Sequence, residues 1–283
     1  MTELVCAPIT PFREDGELDV PGTRELFQAI RASGVGAVFT PGTTGEFTAL
    51  DDGERMAVIE CALEVFGTEG VYAHVGAATA RQAVALARAA YDRGATRLAA
   101  ITPYYQTAGP VAVAEYFRQL TAAVPKAEFY VYVFPARATT TVSPEELAAL
   151  ADIAGIVGAK ISGLSTDQVT EYIRSVPEGF RVLAGNDVDL VRLAAVGGAG
   201  VVSGVCGVFA EPFVAAAAAV NAGEDASSFQ PAIDRAVEAV GGGDIRLLKA
   251  AAAMRGLPAG PARVSLDPPT EAQLAALLAT LEG

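Results

Sequence analysis

Eight short apolar runs recur along the chain, each followed by a stretch with helical spacing. This alternation restricts the fold more than any other feature. The runs are LVCAPIT (4–10), GAVFT (36–40), VYAHVG (71–76), RLAAIT (97–102), EFYVYVF (128–134), GIVGAKIS (155–162), RVLAG (181–185) and GVVSG (200–204). Helical patterns fill the intervals near 22–32, 52–66, 79–93, 110–123, 144–151, 166–174, 187–196 and 210–220. In the third of these, Val84, Ala87, Ala90 and Tyr91 fall on one face, and Gly94 closes the helix. SPEELAALA opens with Ser143 as N-cap, Pro144 in the first turn and Glu146 three residues on, a capping box. Eight such strand–helix units predict an α/β fold, a (β/α)8 TIM barrel over residues 1–223. The alternative, a doubly wound sheet, usually has fewer strands and a phosphate-binding glycine fingerprint. The glycine cluster GGAGVVSGVCG (197–207) precedes and spans a strand, which is not where that fingerprint lies. Residues 224–283 carry helical patterns (229–241, 244–256, 270–281) and no clear strand, and predict a C-terminal helical extension packed on the barrel.

Composition narrows the function. The net charge is −13 with no basic run, which disfavours nucleic acid and anionic membranes as partners. No apolar stretch approaches the ~18–20 residues of a membrane span. The start, MTELVCAPITPF, has an acid at Glu3 and no basic segment, so a cytoplasmic protein is expected. Three widely spaced cysteines (Cys6, Cys61, Cys206) and one histidine, His74, offer neither a disulfide framework nor a metal-ligand cluster. No metal or other cofactor is implied, and His74, inside a strand-like run, reads as structural.

Chemistry in such barrels sits at the C-terminal ends of the strands. One lysine lies in the middle of the sixth run: Lys160, in GIVGAKISG. A dry lumen disfavours the ammonium ion and lowers its pKa, and a neutral amine adds to carbonyl compounds. The bland alternative is a lysine that points outward or pairs with a carboxylate. In the preceding strand, alternation puts Tyr130, Tyr132 and Phe134 on one face. If that face is inward, the Tyr132 phenol lies beside Lys160 and can pass protons where no useful histidine exists. Otherwise it is a core aromatic. GTTGE (42–46) presents Thr43 and Thr44 on a glycine-flanked turn that could bind a small carboxylate. TPYY (102–105) places Tyr104 and Tyr105 at the barrel mouth, as site residues or as a subunit contact.

With these features in order along nearly the whole chain, together with APITPF, YVFPAR, GAK, AGND and GVVSG, the sequence resembles the dihydrodipicolinate synthase / N-acetylneuraminate lyase family. The resemblance implies a metal-free class I aldolase or lyase acting on pyruvate or another 2-oxo acid. In that reading Lys160 forms the imine, and Tyr132 shuttles protons. Thr44 links Tyr132 to Tyr105 in a relay, Thr43 and Thr44 hold the pyruvate carboxylate, and the Val202 carbonyl lines the pocket. Arg137 matches the arginine that the synthase branch uses for the carboxylate of its aldehyde substrate. A homotetramer is the family expectation. The chain departs from the family at Val133, where asparagine is common, and at Ile161, where an acid is common. Both changes are read as removing polar groups beside the site. The positions of the family's lysine-feedback site hold Asp52, Arg55, Ala78 and Gln82, unlike the polar set of lysine-inhibited members. That mismatch counts against a lysine-regulated synthase and leaves an unregulated synthase or a catabolic paralogue. On Arg137, the leading expectation is 4-hydroxy-tetrahydrodipicolinate synthase-like chemistry with pyruvate and aspartate semialdehyde. The alternatives are a catabolic sugar-acid aldolase or dehydratase of the same family, and a non-catalytic 2-oxo-acid-binding protein.

Overall fold

The computed structural model describes residues 1–282. Eight parallel strands close in sequence order: β1 (Glu3–Cys6), β2 (Ala37–Thr40), β3 (Val71–His74), β4 (Arg97–Ile101), β5 (Glu128–Val133), β6 (Ile156–Ile161), β7 (Arg181–Ala184) and β8 (Gly200–Ser203). The ring closes through the pairing of β1 with β8. All eight apolar runs become strands. β1 ends at Cys6 rather than Thr10, and Ala7–Thr10 continue as a buried loop over the barrel mouth.

Two layers of side chains follow from the period-2 alternation of each strand. The lumen holds Val5, Phe39, Tyr72, Ala99, Tyr130, Tyr132, Leu183 and Val202. The larger outer layer, between strands and helices, takes the alternate residues, including Val38, Ala73, Leu98, Val131, Val133, Ala159, Ile161 and Val201. Alanine-rich helices suit this outer layer, because small side chains let helix and sheet approach closely. The helix Ala80–Asp92 buries Ala83, Leu86, Ala87 and Ala90, while Val84 and Tyr91 lie at the edge of the stripe. The apolar face is thus turned slightly from the predicted one, toward Leu86, the bulkiest apolar side chain available.

Local signals set the helix boundaries. Ser143 and Glu146 exchange the predicted capping-box bonds, Ser143 N donating at 2.7 Å and Glu146 N at 3.2 Å. A four-residue helical turn, Pro135–Ala138, follows β5 and had no periodic signature. The seventh interval holds only a short helix, Leu190–Ala195, after a 3-10 turn at Asp187–Asp189. Three further helices, Gln230–Ala239, Ile245–Met254 and Glu271–Glu282, complete the C-terminal segment. Among the described residues no helix is long and apolar enough to cross a membrane, and no group of three or more His, Cys, Asp or Glu is placed to hold a metal ion.

Candidate active site

Lys160 pairs in register with Tyr132 on the neighbouring strand, so the alternation that turns one side chain inward turns the other inward too. The Lys160 Nζ lies 4.1 Å from the Phe39 ring centroid and 4.3 Å from that of Tyr132. Below it, Gly158 leaves room for Tyr130. A Cβ there would come within 2.5 Å of the Tyr130 ring and of the Arg181 carbonyl oxygen. The glycine therefore lets a tyrosine fill the lumen beneath the amine, and Lys160 is only 5% exposed.

Burial decides the protonation states. It pushes Lys160 down to about 7, against the pull of the Asp187 carboxylate. A sizeable neutral fraction at neutral pH follows, and a neutral amine is the nucleophile. Burial pushes Tyr132 up to about 12, while hydrogen bonds with Thr43 and Ser162 act the other way. Tyr132 is therefore a neutral phenol, able to give a proton and take it back. Asp187 accepts from the Ser203 hydroxyl and, at 3.1 Å, from Val205 N, and burial raises its pKa.

A cavity of about 430 Å³ opens above Lys160 at the C-terminal ends of the strands. Thr43, Thr44, Tyr132, Arg137, Lys160 and Val202 all line it, so six of the residues singled out from sequence converge. Two details differ from the expected relay. The hydroxyl joined to the Tyr132 phenol is that of Thr43, at 3.1 Å, whereas Thr44 turns toward Gly204. Adjacent residues of a turn point in different directions, and only one can meet the phenol. Tyr105 does not reach the cavity. Its side chain is 86% exposed on a backbone at φ 74°, and its neighbour Tyr104 packs edge-on against Phe47 instead. Within one chain, then, the Tyr132–Thr44–Tyr105 relay is not assembled.

Val133 and Ile161 belong to the outer layer and do not line the cavity, which corrects the reading that they flank the chemistry. Being next in sequence to inward residues, they face outward onto the helices. Conversely, several lining residues have no role assigned from sequence, among them the last two of the AGND motif. Asn186 and Asp187 come from the loop after β7. Gly241, Gly242, Gly243, Asp244 and Arg246 come from the C-terminal segment. The Gly-Gly-Gly-Asp run before a helix was the available signal. Arg246 is clamped by Asp244 at 2.6 Å, whereas Arg137, which also lines the cavity, is exposed.

A model of the dihydrodipicolinate synthetase family matches residues 1–283. The chain belongs to this family. A 4-hydroxy-tetrahydrodipicolinate synthase of Maridesulfovibrio salexigens is 34% identical over 222 residues, which is 77% of this chain and 75% of that protein. A DapA-like lyase of Halobacterium salinarum, itself uncharacterised, is 36% identical over 280 residues, 96% of this chain and 91% of its own. Among solved structures, a prophage protein of the dihydrodipicolinic acid synthase family from E. coli K12, in complex with pyruvate, superposes with a TM-score of 0.92 at 26% identity, covering 100% of this chain and 98% of that one. As a member of the dihydrodipicolinate synthetase family, the protein is a lyase-type enzyme on a TIM barrel.

Three of the four positions read from sequence against a lysine-feedback site, Asp52, Arg55 and Gln82, make internal bonds. Gln82 Nε2 donates to Asp52 Oδ1 at 2.9 Å. Arg55 is buried, donates to the Gly76 and His74 carbonyl oxygens at 3.0 and 2.7 Å, and is lowered to about 10 by burial. His74 is spent on the backbone too. Its Nδ1 meets the Pro41 carbonyl at 2.9 Å and its Nε2 accepts from Ile101 N at 3.3 Å.

Proposed function

We propose that the protein condenses pyruvate with a carboxylated aldehyde, aspartate semialdehyde in the leading reading, through an imine on Lys160. The observation that carries this is the dry Lys160 amine, lowered to about 7, against the Tyr132 phenol at the base of the cavity. The neutral amine adds to the C2 ketone of pyruvate. Tyr132 gives a proton to the departing hydroxyl, and water leaves. The protonated imine then draws electrons from C3 as the Tyr132 phenolate takes a C3 proton. The resulting enamine attacks the aldehyde carbon while Tyr132 protonates the aldehyde oxygen, and addition of water to the new imine releases the product and restores the Lys160 amine. The Thr43–Thr44 turn holds the pyruvate carboxylate, and Asp187 balances the positive imine across the lumen. The synthase names of the relatives support the choice of partners.

Arg137 supports the carboxylated aldehyde: it is exposed at the cavity wall, while the second guanidinium there, Arg246, is already held by Asp244. The proposed enzyme works without regulation by lysine, in the cytoplasm, as a homotetramer in which the exposed Tyr105 meets a neighbouring chain. The test is steady-state turnover of pyruvate with aspartate semialdehyde, run beside a panel of keto-deoxy sugar acids. Saturable turnover of the semialdehyde is expected. Arg137→Ala then raises its KM by roughly 10- to 100-fold, the loss of a charge-assisted pair, and leaves half-saturation by pyruvate unchanged. Cleavage of a sugar acid with no semialdehyde turnover would overturn this choice of substrate.

A further inference from the structure

The turn that carries Thr43 and Thr44 ends in Glu46, a buried carboxylate with a left-handed backbone at φ 54°. Such a conformation is costly for a residue with a Cβ and persists where surrounding contacts impose it. The contacts come from the C-terminal segment. Lys249, on the helix Ile245–Met254, places its Nζ 2.9 Å from Glu46 Oε1. The other carboxylate oxygen accepts from Arg263 N at 2.7 Å and Val264 N at 2.8 Å. Lys249 spends its remaining donors on the carbonyl oxygens of Thr10 (2.9 Å) and Pro261 (2.7 Å). Thr10 in turn donates from its hydroxyl to Gly45 O at 2.7 Å, so the turn is gripped from both sides. The Arg263 guanidinium extends the clamp to Glu54 and to the carbonyl oxygens of Gly16 and Ala49.

A buried ion pair is a weak source of net stability, because desolvation of both charges offsets most of the attraction. What such a pair does supply is a fixed geometry, here at the turn whose hydroxyls face the cavity. We infer that Glu46 is a positioning residue: through Lys249, Arg263 and Val264 it ties the 2-oxo-acid-binding turn to the C-terminal segment, so that carboxylate binding at Thr43–Thr44 depends on residues 245–264. The inference rests on the proposed imine chemistry for its readout. It gives the C-terminal segment a task in the site beyond covering the barrel.

The test uses the double variant Glu46→Gln with Lys249→Met, which keeps volume and removes both charges. Trapping by borohydride is followed against pyruvate concentration. The double variant is expected to keep a near-parental melting temperature and full trapping at saturating pyruvate. The half-saturating concentration rises about tenfold, the worth of roughly one well-placed hydrogen bond. A folded double variant with unshifted half-saturation overturns the inference and leaves the imine reading intact. Failure of the parent chain to trap at all defeats the imine reading instead. A second measurement needs no substitution. Coupling is reciprocal, so pyruvate should slow hydrogen exchange at the Arg263 and Val264 amides of the parent protein. Unchanged exchange there under saturating pyruvate also counts against it.

Discussion

Lys160→Met is expected to melt at a higher temperature than the parent chain at pH 7 while losing all condensation with 2-oxo acids. The parent keeps an amine in a lumen made of Phe39, Tyr130 and Tyr132, and burial lowers its pKa from 10.5 to about 7. The unfolded chain holds the lysine proton up to its ordinary pKa, whereas the folded chain releases it near 7. Between those values the unfolded state binds more protons, so the parent's stability rises with pH across that window. Below it both states are protonated, and the folded protein carries the full cost of a buried cation. Methionine has similar length and no charge, so it removes this cost. The gain at pH 7 is on the order of 3 kcal/mol, since each unit of pKa shift is worth about 1.4 kcal/mol and part of the shift relaxes. That corresponds to roughly 5–10 °C in a chain of this size. Thermal melts of both proteins from pH 6 to pH 10 check it: the two curves should converge as the pH rises. A variant that melts lower than the parent at pH 7 would mean that Lys160 stabilises the barrel as an ordinary ion-paired lysine.

Tyr132→Phe is expected to lower kcat by about 10²- to 10⁴-fold, the usual worth of a positioned proton donor. The fold should be retained, because the ring still packs against Phe39, at 5.4 Å between centroids, and against His74 at 5.8 Å. Only the hydroxyl and its bonds with Thr43, at 3.1 Å, and Ser162 are lost. With the phenol held up to about 12, the parent donor stays protonated through neutral pH, and its ionisation should not limit the rate below pH 10. The acid limb of the rate profile should instead follow Lys160 and fall away below about 7. Single-turnover rates of imine formation across pH 5–10 measure both effects. A variant within threefold of the parent would remove Tyr132 from the proton path.

The barrel and the centre of its site were legible for a common reason. Past the irregularity that skips Val157 in the β5–β6 pairing, alternation is regular, so one inward residue on β5 and one on β6 fix which side chains meet: Tyr132 and Lys160. The same rule, applied one residue further, places Val133 and Ile161 on the outer face. Reading them as neighbours of the chemistry confused adjacency in sequence with adjacency in space. Turn residues obey no such period, which is why Thr43 rather than Thr44 takes the phenol. The four-residue turn Pro135–Ala138 is too short to carry a helical period. The strap formed by Glu46, Lys249 and Arg263 joins residues some two hundred positions apart, and its members look like ordinary surface charges in the sequence. Tyr105 exposes a different gap. TPYY marks a mouth, but only geometry separates the tyrosine turned in against Phe47 from the one left in solvent.

The proposed chemistry depends on a nucleophilic amine inside the lumen, and one measurement addresses it directly. The purified protein is incubated with pyruvate and borohydride, digested, and the modified residue located by mass spectrometry. The account predicts a single reduced pyruvyl adduct on Lys160, absent from Lys160→Met and unaffected by the presence of Lys126 and Lys249 as competing amines. An adduct on another lysine, or none with any 2-oxo acid while the protein is folded, would contradict it.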